Sequence, residues 1–95
     1  NLRGLRVLVV DDHPVNRDMM RDILKSWGVA HQEVDSGETA LSVLRQARKS
    51  GTPFDLVLLD YQMPGMDGLL LASAIRAEPE IGDVHLAMLS SSSFG

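Results

Sequence analysis

The chain has 95 residues, 44% of them hydrophobic and 23% charged, the make-up of one small globular domain with an aliphatic core. A net charge of -4 speaks against this domain gripping nucleic acid or an anionic membrane, since both need a basic surface. Cysteine is absent, which excludes disulfides, thiol catalysis and cysteine-bound zinc; no apolar run has the length of a bilayer span and no signal peptide opens the sequence, so the expected location is the cytoplasm, whether or not a parent protein is anchored in a membrane.

Arg6-Val7-Leu8-Val9-Val10 is a β-branched run that ends in Asp11-Asp12. A continuous apolar run of this length reads as a strand buried on both faces. Pro14 suits the first turn of a helix, on which Val15, Met19, Met20, Ile23, Leu24 and Trp27 recur at helical spacing until Gly28 stops it. Residues 29–34 are short and mixed, as in a half-exposed strand at a sheet edge. Ser36 is an N-cap for a helix with Ala40, Val43, Leu44 and Ala47 on one face, broken by Gly51-Thr52-Pro53.

Phe54-Asp55-Leu56-Val57-Leu58-Leu59-Asp60 is a second buried strand that ends in acid. After the loop Tyr61-Gln62-Met63-Pro64-Gly65-Met66, Asp67 can cap a helix that turns Leu70, Leu71, Ala74 and Ile75 inward, with Pro79 and Gly82 at its exit. The run 84–89 is the last strand, nearly all apolar, as expected of a strand covered on both faces and paired on both edges. Strand and helix alternate throughout, which predicts a parallel sheet with helices on both faces.

Asp11, Asp12 and Asp60 stand at the ends of two buried strands. Ligands of open parallel sheets bind beyond the carboxyl ends of the strands, so neighbouring strands would bring these acids into one crevice. Close carboxylates repel one another unless something positive sits among them. A hard divalent cation is the natural answer, and magnesium suits a site with few protein ligands and room for waters and a phosphate. A single acid after a strand is more often a helix cap; an adjacent pair plus a third acid favours a site. His13 reads as an exposed loop residue beside the pair, and Trp27 as core or helix-end packing. His13, His31 and His85 lack metal-ligand spacing.

The stretches Val7-Leu8-Val9-Val10-Asp11-Asp12-His13-Pro14-Val15-Asn16-Arg17, Ser36-Gly37-Glu38-Thr39-Ala40-Leu41 and Leu58-Leu59-Asp60-Tyr61-Gln62-Met63-Pro64-Gly65-Met66-Asp67-Gly68 resemble a response-regulator receiver domain, most closely those attached to hybrid sensor histidine kinases. The resemblance runs over the whole chain, 1–95, and implies a flavodoxin-like doubly wound α/β sheet with strand order 2-1-3-4. It implies Asp60 as phosphoacceptor, Asp12 as a direct magnesium ligand, Asp11 acting mainly through water, the Gln62 backbone carbonyl as a further ligand, and Ser90 as switch hydroxyl, with Ser91 the alternative if the register slips by one. Its implied partners are a histidine kinase or a histidine phosphotransfer domain within a phosphorelay. Whether the parent chain is itself an enzyme stays open.

The family pattern continues past Gly95 with a helix, a fifth strand bearing a lysine and an aromatic, and a last helix. The chain is therefore expected to be an incomplete receiver; a dimer across the edge of the fourth strand, a longer protein and an aggregating fragment all fit, and association through that edge, a homodimer being one form of it, is the favoured expectation. Two other functions compete. A dehalogenase-like phosphatase needs a second Asp two residues after its nucleophile, where this chain has Gln62. A pseudo-receiver, acting as an interaction module without phosphorylation, would have lost one of the acids. A nucleotide-binding Rossmann domain fails because Asp11-Asp12-His13-Pro14 stands where its Gly-rich turn belongs.

Overall fold

The computed structural model describes residues 4–60 and 67–89. Their elements are β1 (Arg6–Val10), α1 (Pro14–Ser26), β2 (Ala30–Val34), α2 (Gly37–Lys49), β3 (Leu56–Asp60), α3 (Gly68–Ala77) and β4 (His85–Leu89). The strands form one parallel sheet in the order β2-β1-β3-β4, as expected.

β1 lies inside the sheet, and its alternation divides the core into two layers. Leu8 and Val10 join Val57 and Leu59 of β3 beneath α2 and α3, with Ala40, Leu44, Leu71 and Ile75 closing that layer. Val7 and Val9 face the other way, where Leu24 of α1 and Val29 cover them. Helices therefore pack on both faces, the doubly wound arrangement. Leu8, Leu59, Leu71 and Ile75 are fully buried, each contributing about 1.5–3 kcal/mol of transfer free energy. The strand entrances are tied together by Asp55: its N–H donates to the Arg6 carbonyl (2.8 Å), its carboxylate accepts from the Arg6 N–H (2.9 Å), and its carbonyl accepts from the His85 N–H (3.2 Å).

Local chemistry sets the helix limits. Gly28, at φ +71, closes α1 in a Schellman turn: its N–H donates to Lys25 and the Val29 N–H to Leu24, both at 3.0 Å. Gly51, at φ +77, closes α2 in the same way, with Thr52 donating to Ala47 at 3.0 Å. The Ser36 hydroxyl caps α2 by accepting from the Thr39 N–H (3.2 Å), and the Asp67 carboxylate caps α3 by accepting from Leu70 (2.9 Å). α3 stops at Glu78, which is extended as a residue before proline prefers to be.

Three expectations need correction. Met20, Ile23 and Leu24 face the sheet to differing degrees, but Val15 is 74% exposed, Met19 43% and Trp27 57%. At about 100° per residue, Val15 lies on the opposite side of the helix from Leu24, and Met19 is displaced from it by about 140°. Trp27 lies past the last helical turn, at the C-cap. In α3, Leu71 and Ile75 point inward while Leu70, about 100° round from Leu71, is exposed. β4 is less covered than its apolar sequence suggests: His85 is exposed, Leu86 and Ala87 are half-buried, and Met88 is exposed. Among the described residues it pairs only with β3.

Candidate functional site

The parallel register sets Val10 opposite Leu59, so Asp11 follows β1 at the level where Asp60 ends β3. Both are buried, Asp11 at 8% exposure and Asp60 at 3%. Ligand atoms from Asp11, Asp12, His13 and Asp60 all lie within 4.8 Å of one another. The convergence inferred from strand ends is thus present in three dimensions, and a histidine joins it.

Each acid is held by its own local structure. The Asp11 N–H donates to the Val34 carbonyl (3.1 Å) and continues the pairing of β1 with β2. Its Oδ1 accepts from the His13 N–H (2.9 Å), an Asx turn that folds the loop back over the strand end. The Arg17 guanidinium, one turn into α1, donates to the Asp11 carbonyl (2.7 Å) and pins helix to loop. One oxygen of Asp11 is therefore engaged with the backbone, while Asp12 keeps its carboxylate for the crevice. The Asp12 Oδ1 atom is closed off from solvent yet accepts no hydrogen bond among the described residues. His13 Nδ1 stands 3.1 Å from it without hydrogen-bond geometry, 3.5 Å from Asp11 Oδ1 and 4.0 Å from Asp60 Oδ2.

A buried carboxylate oxygen without a donor is costly, and a cation removes that cost. Several carboxylate oxygens at the open end of a sheet suit a hard ion that retains some of its water. The residues present, Asp11, Asp12 and Asp60 together, thus fit a hard divalent cation such as magnesium.

A profile of the response regulator receiver domain matches residues 7–93. The chain belongs to this family. Among curated proteins, the receiver is 43% identical over 74 residues to the sensor histidine kinase GacS of Pseudomonas protegens, covering 78% of this chain and 8% of that protein. It is 34% identical over 89 residues to the chemotaxis protein CheY-3 of Vibrio cholerae, covering 93% of this chain and 65% of that one. Among solved structures it is similar to the receiver domain of the histidine kinase CKI1 from Arabidopsis thaliana, complexed with Mg2+ and BeF3-. That match has a TM-score of 0.78 and 36% identity, over 94% of this chain and 66% of that one. The chain spans less than two thirds of the length of the first two relatives. It is a receiver domain of two-component signalling, and sensor histidine kinases are among its relatives. Receiver domains bind magnesium, in keeping with the acidic cluster.

Gln62, Ser90 and the alternative Ser91 lie outside the described residues, as do residues 63–66. Two contributors were not assigned a place in the site from sequence. Arg17 stands in the sequence reading only as the end of the family-like stretch 7–17, although a cation four residues past His13 can reach back over the first turn of a helix. His13 is the exposed loop residue expected, yet its Nδ1 also joins the cluster; its position directly before Pro14 was the available signal, because proline restricts the preceding residue to extended conformations. No described helix is long and apolar enough to cross a membrane.

Proposed function

We propose that this receiver accepts a phosphoryl group on Asp60 from a phosphohistidine of a histidine kinase or histidine phosphotransfer domain. The transfer requires magnesium and forms one step of a phosphorelay in a hybrid sensor histidine kinase or response regulator. The observation that carries this reading is the convergence of Asp11, Asp12 and Asp60 at the carboxyl end of the sheet. In the step, an Asp60 carboxylate oxygen forms a bond to phosphorus, the phosphorus–nitrogen bond of the donor breaks, and the departing imidazole takes up a proton. Bound magnesium neutralises negative charge on the group in transit. Asp12, Asp60 and the Gln62 carbonyl would hold it, and Asp11, tied to the loop through its Asx turn, would act on it mainly through water. The CKI1 receiver complexed with Mg2+ and BeF3- supports this pairing of cation and anion. Ser90 is the switch hydroxyl that binds a phosphoryl oxygen and draws its loop inward, biasing a two-state equilibrium.

The cytoplasm is the proposed compartment, and neither nucleic acid nor membrane is a proposed partner, consistent with the net charge of -4. Incubation with a labelled phosphohistidine donor or a small phosphodonor tests the reading. The wild type should take label only with magnesium, and Asp60→Asn should take none, because an amide is not the required nucleophile. Label that persists in Asp60→Asn overturns the assignment; wild type that never takes label favours a pure interaction module.

A further inference from the structure

Resting on the receiver reading of this site, we propose that His13 supplies an imidazole nitrogen ligand beside the carboxylates. The site then takes nitrogen-preferring divalent ions of the late first transition row, such as cobalt, nickel and zinc, much more tightly than a carboxylate-only pocket would.

Distance is the first support. Around an octahedral ion with bonds of about 2.1 Å, neighbouring ligand atoms stand about 3 Å apart and opposed ones about 4.2 Å. His13 Nδ1 lies 3.1, 3.5 and 4.0 Å from oxygens of Asp12, Asp11 and Asp60, all within that range. The imidazole thus stands where a common ligand would put it, before any rearrangement.

The second support is that the loop builds this placement. His13 precedes Pro14 and is held extended at φ -93, ψ 119, the region left to a residue before proline. Its N–H is fixed on Asp11 Oδ1 at 2.9 Å. Two restraints encoded in Asp11-Asp12-His13-Pro14 thus fix the backbone from which the exposed imidazole reaches the strand ends. The other histidines are not part of the cluster: His31 Nδ1 lies 3.1 Å from the Val29 carbonyl, and His85 starts β4.

The third support is the buried Asp12 Oδ1, which accepts no hydrogen bond among the described residues and calls for a cation next to it. Ligand chemistry then sets which cations gain. Magnesium prefers oxygen and keeps waters, so an imidazole adds little to its binding. Cobalt, nickel and zinc bind imidazole well and follow the Irving–Williams order, so the same nitrogen adds much more to theirs.

The test compares cobalt and magnesium binding by calorimetry, and the visible spectrum of bound cobalt, on tag-free full chain in a His31→Gln, His85→Gln background. Adding His13→Gln should lower cobalt affinity by about tenfold or more relative to any loss for magnesium, and should shift the cobalt d–d bands. An unchanged cobalt affinity and spectrum, or equal losses for both ions, overturns the proposal. The parent reading is scored separately by Asp12→Ala: if that variant keeps full magnesium affinity the carboxylate site itself is wrong, whereas failure of His13→Gln alone leaves the phosphoacceptor reading standing.

Discussion

At the scale of the residue, the site consists of side chains held by their own backbone. The buried Oδ1 of Asp12 accepts no hydrogen bond among the described residues, so removal of this acid should affect magnesium directly. Asp12→Ala is expected to lower magnesium affinity by about tenfold or more, read by titration of amide shifts. Arg17 touches no crevice atom; it holds the Asp11 carbonyl at 2.7 Å and so supports the loop. Arg17→Ala should weaken magnesium by a smaller factor than Asp12→Ala, with Arg17→Lys recovering part of the loss. A loss in Arg17→Ala equal to that in Asp12→Ala would give it a direct role instead. Gly82 is a residue-scale constraint of another kind. A Cβ there would stand 2.8 Å from the Glu78 carbonyl oxygen and 3.0 Å from that of Arg76. The Arg76 guanidinium meanwhile donates to the Gly82 and Val84 carbonyls, both at 2.5 Å, and ties the end of α3 to the entry of β4. Gly82→Val should cost about 1–3 kcal/mol in denaturant unfolding, because backbone cannot move aside as a flexible side chain does.

At the scale of the element, helix faces differ in what they contribute. Leu71 is fully buried between α3 and the sheet, and Leu71→Ala should cost about 2–5 kcal/mol. Val15, on the outer side of α1, should tolerate Ser within about 0.5 kcal/mol. Equal costs at the two positions in urea denaturation would contradict this orientation of the helices. α2 and α3 are also linked at their surface by the paired hydrogen bonds of Arg45 to Glu78, both at 2.8 Å. The Arg45 guanidinium holds the Glu78 carboxyl below its ordinary value. A lowered folded-state value means that the pair's stabilisation is present above the ordinary 4.5 and lost as pH falls through the lower folded value. Solvent screens so exposed a pair, so its effect is small. A double-mutant cycle of Arg45→Ala and Glu78→Gln should show a coupling at neutral pH that fades in acid; a coupling constant with pH would assign it to packing.

At the scale of the whole molecule, the described sheet has β2 at one edge and β4 at the other. β2 suits its place, with exposed and half-buried residues alternating along it before Val34. β4 does not, because Leu86, Ala87 and Met88 are apolar and only partly covered. An apolar edge strand is a template for pairing, and we propose that β4, an edge among the described residues, can pair with a second copy of this chain. Sedimentation over a range of concentrations reads this out. A monomer that folds cooperatively at every concentration would refute it.

Strand order, the caps at Ser36 and Asp67, the stops at Gly28 and Gly51 and the grouping of three acids were all legible in the sequence. The strands, caps and stops rest on short-range rules: runs of β-branched residues make buried strands, a small polar side chain caps a helix, and only glycine turns left without strain; the strand order was what the resemblance to receivers implied. That Asp60 is the proposed phosphoacceptor came from the resemblance to receiver domains, since position at the open end of the sheet is shared by Asp11 and Asp60. Tertiary structure alone decided which apolar residues are covered, since Val15, Met19 and Leu70 carry the same helical signal as their buried neighbours. The covered face depends on the direction from which the sheet approaches, and periodicity leaves that direction open. Structure alone also turned His13 over the acids and set Arg17 on the Asp11 carbonyl, because those contacts require β1, its loop and the first turn of α1 to be placed together.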